Sequence, residues 1–211
     1  MDNSIKIVLR EDEANDSDIL NLIHLAFEER RLQGLQFTCI GYTLDDIKRK
    51  ASKASVYLAY INQLLVGCLF FTIFHKKDKY GYIEALSVHP DFKGRGIMNL
   101  LFQKSLEEAK RMNLDYIKSD TSVDAQSSVR WHLKNGFRKV GLMSSPRSNY
   151  YSYVFRNQLQ SPSIWNSKVW TNVRLFVSSV KCKSTRNREG GLTSFGKIVK
   201  SIKRRIFSKG H

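Results

Sequence analysis

Three stretches of this chain hold residue types that could do chemistry. Around one loop the sequence reads Lys93-Gly94-Arg95-Gly96, two cations alternating with two glycines. Glycine lets a backbone approach a ligand closely, and a helix starting there points its unpaired N–H groups outward. That arrangement suits a pyrophosphate. Just upstream, Glu84 lies within an apolar run from Ile83 to Val88, a carboxylate that could act as a general base. His132, in Arg130-Trp131-His132-Leu133-Lys134-Asn135-Gly136-Phe137, carries a proton that moves near neutral pH.

The elements that must position these groups follow from periodicity and punctuation. Ile83 to Val88, bounded by Gly81 and Pro90, reads as a strand, and His89 to Lys93 as a short loop. From Ile97 the spacing of Ile97, Leu100, Leu101, Ser105 and Ala109 predicts a helix ending near Met112-Asn113. Upstream, Ile5 to Arg10 predicts a first strand, and Asp16 or Ser17 can cap a helix to about Gln33. After a loop with Phe37, Cys39 and Tyr42, Thr43 and Asp46 form a capping-box-like start for a helix through Lys53. Ser55 to Ile61 and Leu64 to His75 make a hairpin around Asn62-Gln63. Downstream come a strand at Tyr116 to Thr121, a helix at Ser127 to Lys134, and strands at Phe137 to Leu142 and Tyr150 to Arg156.

The glycine spacing differs from the dinucleotide fingerprint, which needs a third glycine. It resembles the coenzyme-A signature of the GNAT superfamily of N-acetyltransferases. Lys93 takes the Arg/Gln place of that pattern, Gly96 its glycine and Met98 its final Gly/Ala place. A second family signature is matched by Gly136-Phe137, with His132 in the place of a tyrosine, Ser128 in that of an alanine and Ala125 in that of an asparagine. The resemblance covers roughly residues 5 to 157. It implies an α/β (α+β) GNAT fold over residues 1–158: a mixed, mostly antiparallel sheet of six to seven strands flanked by helices.

The resemblance also implies an acetyl-CoA-dependent N-acetyltransferase that needs no metal. Backbone groups of Leu86, Ser87 and Val88 would meet the pantetheine arm. Lys93, Gly94, Arg95, Gly96, Ile97, Met98 and Asn99 would hold the pyrophosphate. Glu84 would accept the proton of the amine, directly or through water, and His132 would protonate the leaving thiolate. Each role has a plainer counterpart: an ordinary turn for the loop, a surface ion pair for Glu84, a packing residue for His132. Substrate contacts would come from Glu29, Arg30, Phe37, Tyr42, Arg147 and Tyr150, which could equally be a solvated helix face and ordinary loop aromatics. The acceptor is a small-molecule amine, an amino sugar of surface polysaccharide synthesis being one candidate. A protein amine, a polyamine, or a coenzyme-A-binding module without catalysis are the alternatives.

Composition frames these readings. Of 211 residues, 42% are hydrophobic, enough for a sizeable core, and no run of eighteen apolar residues occurs. Cys39, Cys68 and Cys182 are spaced for neither a disulfide framework nor a zinc site, which with the polar N-terminus leads us to expect a cytoplasmic protein. The net charge of +16 is uneven: residues 159–211 hold 12 Lys/Arg against Glu189 alone, a net of +11. Within this basic extension Trp165, Val169, Val173, Phe176 and Val180 recur at helical intervals. Leu192, Phe195, Ile198, Val199, Ile202 and Ile206 form a second stripe opposite Lys197, Lys200, Lys203, Arg204, Arg205 and Lys209. A basic amphipathic helix reads as an anionic membrane surface contact at the inner face of the membrane, or as packing against the domain or a partner subunit in a homodimer. Nucleic acid is not expected, because half of that helix's surface is apolar.

Overall fold

The computed structural model describes residues 4–13, 15–75, 78–160, 168–198 and 200. In chain order the elements are β1 (Lys6–Leu9), α1 (Asp16–Leu32), α2 (Leu44–Ala51), β2 (Ser55–Ile61), β3 (Leu64–His75), β4 (Lys79–Val88), α3 (Ile97–Arg111), β5 (Tyr116–Ser122), α4 (Gln126–Lys134), β6 (Arg138–Ser144), β7 (Tyr151–Gln158) and α5 (Lys168–Thr185). Short 3-10 turns occupy Thr38–Gly41 and Pro90–Phe92. The seven strands form one sheet in the order β1-β2-β3-β4-β5-β7-β6. Pairing is antiparallel between β1 and β2, β2 and β3, β3 and β4, and β6 and β7, and parallel between β4 and β5.

Local chemistry accounts for most of these boundaries. Asn62 and Gln63 both adopt left-handed φ, 47° and 68°, as a two-residue turn between twisted strands requires. At the start of α2 the capping box is complete: Asp46 N–H donates to the Thr43 hydroxyl, and Thr43 N–H donates to the Asp46 carboxylate. The start of α1 departs from expectation. Its N-cap is Asn15, with no side-chain cap, and Asp16 faces inward instead. There Asp16 accepts from Arg10 Nε at 2.7 Å and Nη2 at 3.0 Å, with the carboxylate almost fully buried.

The described residues fall into two compact units. One runs to Ser119 and takes in Asn157–Gln160; the other comprises Asp120–Arg156 and the described residues from 168 onward. In the first, the core lies under the strongly apolar β3, where Val66, Cys68, Leu69, Phe70 and Phe71 are all buried. Helix α3 approaches β3 closely at Gly67, where a Cβ would come within 2.7 Å of Ile97 Cγ2 and 3.1 Å of Leu101 Cδ1. The other end of α3 is tied to β2 through Glu108, which accepts from Ser55 Oγ at 2.8 Å and Tyr57 Oη at 2.6 Å.

In the second unit, α5 packs along β6. The Ser178 hydroxyl accepts from Leu142 N–H (2.9 Å) and donates to Leu142 C=O (3.1 Å), satisfying both backbone groups of an edge residue. The basic extension expected beyond residue 158 is thus a division of charge, while compactness divides the chain elsewhere. Trp165, and the stripe positions Val199, Ile202 and Ile206 with Lys203, Arg204, Arg205 and Lys209, lie outside the described residues. No helix among the described residues is long and apolar enough to cross a membrane.

The Arg10–Asp16 pair supplies a direct check on the first unit. Asp16→Ala leaves a largely buried guanidinium without its partner, and should cost about 3–5 kcal/mol in urea denaturation. A loss below about 1 kcal/mol would mark the pair as a surface contact.

Candidate active site

The site is built on β4, and β4 is irregular. Its register against β3 pairs Phe70 with Glu84 but Cys68 with Ser87, so β4 carries one extra residue over this interval. Ala85, at φ 49°, sits in this bulge. Its carbonyl accepts from the Ser87 hydroxyl at 3.1 Å and from the Cys68 thiol at 3.6 Å. Simple alternation would place Glu84 with Leu86 and Val88. The bulge corrects that: Glu84 shares a face with Ser87, while Val88, opposite Gly67, faces the other way.

The second irregularity is on the other edge of β4. Its parallel register with β5 covers Tyr80–Tyr82 against Tyr116–Lys118, and no partner continues it beyond Tyr82 among the described residues. His89 N–H donates to Val66 C=O at 2.9 Å. Backbone direction alternates along a strand, so Ser87 turns its backbone toward β3, and Leu86 and Val88 turn theirs toward the unpaired edge. The expectation for Leu86 and Val88 therefore has a geometric basis. Ser87 does not: it is buried, its hydroxyl is engaged with Ala85, and it secures the bulge.

Beyond β4 the chain passes through Gly94 (φ 81°) and Gly96 (φ 79°) into α3. Both would have open space for a Cβ, so the requirement for glycine here is conformational. Gly96 is the N-cap, and its carbonyl accepts from Asn99 N–H (2.9 Å) and Leu100 N–H (3.1 Å). Asn99's amide is thus occupied, which narrows the expected anion-binding amides to those from Gly94 to Met98. Lys93 and Arg95 are exposed beside them, Lys93 paired with Glu29 at 2.9 Å and Arg95 over the Phe92 ring. Met98 is half-buried.

Glu84 has two donors that sequence alone did not bring together. Tyr42 Oη donates to Glu84 Oε1 at 2.6 Å, and Lys50 Nζ donates to the same oxygen. Lys50 also lies 4.7 Å from the Tyr42 ring centre. Burial, reinforced by the Glu84 charge, pushes the Tyr42 phenol well above its ordinary range, so it stays a donor. Both donors meet Oε1; nothing among the described residues donates to Oε2. Tyr42, expected among the substrate contacts, is hydrogen-bonded to Glu84. Lys50 was missed, and its i+4 relation to Asp46 within α2 gave no sign of Glu84.

Nearby, Arg30 spans the Phe27 and Phe37 rings at 5.5 and 5.1 Å. Burial pushes the Cys39 and Cys68 thiols up to about 12, which keeps both protonated and makes neither a nucleophile. Arg147 stands on an exposed turn of the second unit, and Tyr150 is buried there, which takes it out of the expected substrate surface.

His132 differs from the expected acid. It is 4% exposed, stacked on Phe155 at 4.4 Å and edge-on to Trp131 and Phe137. Burial holds it down at about 4, so it is neutral at pH 7. Nδ1 lies 2.7 Å from the Ser128 carbonyl. A carbonyl only accepts, so the single imidazole proton is on Nδ1 and Nε2 has none to give. His132 is thus enclosed by aromatic rings of the second unit.

These features have counterparts among known proteins. The sequence model of the acetyltransferase (GNAT) family matches residues 17–137, more than half of the chain. The chain belongs to the GNAT acetyltransferase family. No curated protein matches it in sequence. Its fold is similar to that of a GNAT acetyltransferase from Elizabethkingia anophelis with acetyl-CoA bound (17% identity, 75% of this chain and 100% of that one, TM-score 0.56). It is also similar to Arabidopsis thaliana Naa50 in complex with a bisubstrate analogue (18%, 74% and 99%, TM-score 0.59) and to a chain of the NatC complex bound to Gag peptide and CoA (17%, 74% and 99%, TM-score 0.61). At these identities the likeness carries the fold. Acetyl-CoA is the family's acetyl donor, and the GNAT chain described here fits it: a glycine-shaped helix start, two exposed cations, and a strand edge left open at Leu86 and Val88. No cluster of metal-ligating side chains occurs among the described residues.

The buried imidazole makes a prediction with a definite sign. His132 titrates at about 4 in the folded chain against an ordinary 6.5, so the unfolded chain binds the extra proton in that window. Its contribution is intact above pH 6.5 and is lost as the pH falls toward 4, with a slope of at most about 1.4 kcal/mol per pH unit. Urea denaturation as a function of pH should show this slope, and His132→Phe should remove it. An unchanged pH dependence in the variant would assign the slope to other groups.

Proposed function

We propose that the chain is an acetyl-CoA-dependent N-acetyltransferase whose acceptor is a single primary amine on a neutral or anionic body, best represented by a nucleotide-linked amino sugar. The observation that carries this reading is the set of partners around Glu84. Glu28 is taken by Arg31, Glu29 by Lys93, and Glu84 Oε1 by Tyr42 and Lys50. A polyamine needs several carboxylates, and beside Glu84 Oε2 the acids of α1, Glu28 and Glu29, each already face a cation. Arg30, held over the Phe27 and Phe37 rings, favours an anionic group over further positive charge.

Acetyl-CoA supplies the acetyl group as a thioester that a neutral amine can attack. The chain's own residues do the rest. Amides from Gly94 to Met98, with Lys93 and Arg95, bind the pyrophosphate. Leu86 and Val88 hold the extended arm along the open edge of β4 in the manner of an added strand. Tyr42 and Lys50 fix the Glu84 carboxylate, and Oε2 receives the proton that the acceptor ammonium loses. Holding amine and donor together lowers the barrier further, as in any two-substrate site. Peptide acceptors are the second class to examine, since the NatC complex is bound to Gag peptide and Naa50 to a bisubstrate analogue.

Two measurements test the reading. Acetyl-CoA should raise the melting temperature of the chain, and Gly96→Val should abolish the shift by straining a left-handed position; a preserved shift would move the phosphate site elsewhere. Thiol release should be faster with a nucleotide-linked amino sugar than with spermidine or a short peptide, and Glu84→Gln should lower kcat by about a hundredfold without weakening acetyl-CoA binding. Preference for spermidine would overturn the charge argument, and an unchanged kcat would remove Glu84 as proton acceptor.

A further inference from the structure

The orientation of α5 is opposite to what its composition predicts. An apolar stripe at helical spacing ordinarily packs inward. Here the face against β6 is made by Thr171, Ser178 and Cys182, the last lying 3.8 Å from Ser144 Oγ. At about 100° per residue, Val169, Val173, Phe176, Val177 and Val180 fall on the far side, and all five are exposed, Phe176 at 70% and Val169 at 69%. The chain then returns along the end of α5, where Gly196 meets the Thr185 carbonyl so closely that a Cβ would lie 2.0 Å from it. Phe195 and Ile198 are exposed there too.

The charges around this face have one sign. Lys181 and Lys183 are exposed on opposite flanks of the stripe, and Lys197 and Lys200 lie beside Phe195 and Ile198. Helix α5 contains no acidic residue. The single acid of the region, Glu189, lies in the following turn, where Arg188 pairs with Asp124 and Arg186 with the Gly190 carbonyl. A second copy meeting this face about a two-fold axis would set lysine against lysine. A surface with an apolar interior and an anionic rim matches it on both counts.

We infer that the outward face of α5, with Phe195 and Ile198, docks on an anionic lipid surface: Val173, Phe176 and Val180 enter the acyl boundary and Lys181 and Lys183 meet the phosphate headgroups. The inference is independent of the acceptor, since it uses no residue of the active site.

The test is sedimentation of the full-length chain with vesicles of phosphatidylglycerol and phosphatidylcholine, against phosphatidylcholine alone. Binding to the anionic vesicles is expected, falling with added salt. Charge reversal by Lys181→Glu with Lys183→Glu should weaken it by about thirtyfold or more. Phe176→Asp should weaken it strongly and Phe176→Ser less so, with melting temperature and acetyl-CoA binding unchanged in both. No binding at low salt overturns the inference. So does undiminished binding in Phe176→Asp and Phe176→Ser, which would place the contact in other cations of the extension. So does a dimer, seen by analytical ultracentrifugation, that ignores vesicles and separates on Phe176→Asp.

Discussion

The arrangement of the site depends on one inserted residue in β4. With Ala85 bulged, the strand changes face between Glu84 and Val88. Upstream of the bulge a carboxylate is presented to Tyr42 and Lys50; downstream, Val88 joins the face on which Gly67 receives α3. A regular strand would put Glu84 and Val88 on one face and force either the charge or the valine into the wrong environment. The left-handed conformation of Ala85 costs roughly 1–2 kcal/mol. The Ser87 hydroxyl and the Cys68 thiol on its carbonyl hold it in place. The same strand carries Glu84 before the bulge and, after it, an edge left open at Leu86 and Val88 that leads to the glycine loop ahead of α3.

The ion pairs around this strand differ in how firmly they are held. Arg10–Asp16 is buried and bidentate, and fixes the entry to α1. Glu29–Lys93 and Glu28–Arg31 are solvent-exposed at both ends, and such pairs contribute about 0–1 kcal/mol. Lys93 can therefore exchange Glu29 for a phosphate at little cost. Lys50–Glu84 lies between these extremes, each side chain mostly covered. A carboxylate with one oxygen held by two donors and the other open is fixed in direction while remaining able to accept. Preorganisation of this kind is what a proton acceptor needs.

Much of the fold was legible because its signals are local. The capping box of Thr43 and Asp46, the turn at Asn62-Gln63, and the glycines that shape the start of α3 are each set within a few residues. The glycine loop was legible for the same reason, since φ at Gly94 and Gly96 is a property of the loop itself. What could not be read depends on residues distant in sequence. Lys50 reaches Glu84 across 34 positions and Tyr42 reaches it across 42. The bulge has no marker residue, because alanine at φ 49° looks in sequence like any strand alanine. His132 shows the opposite error. Its place in a motif suggested an acid, but burial holds its imidazole low, and the ring stacked on it, Phe155, lies outside the motif.

Helix α5 marks the limit of periodicity as a signal. Spacing tells which side chains share a face, and Val169, Val173, Phe176 and Val180 do share one. It does not tell which face turns inward when two are available. The deciding contact is polar: Leu142 on edge strand β6 needs a donor and an acceptor, and a single serine hydroxyl provides both. Each of those backbone groups would cost about 1–3 kcal/mol if it were buried and unpaired, and the Ser178 face of α5 is the one that satisfies them. Thr171 and Cys182 then fit against β6 as small residues, and the stripe is left outward by geometry. An outward apolar face rimmed by lysines follows from how the sheet's edge is closed.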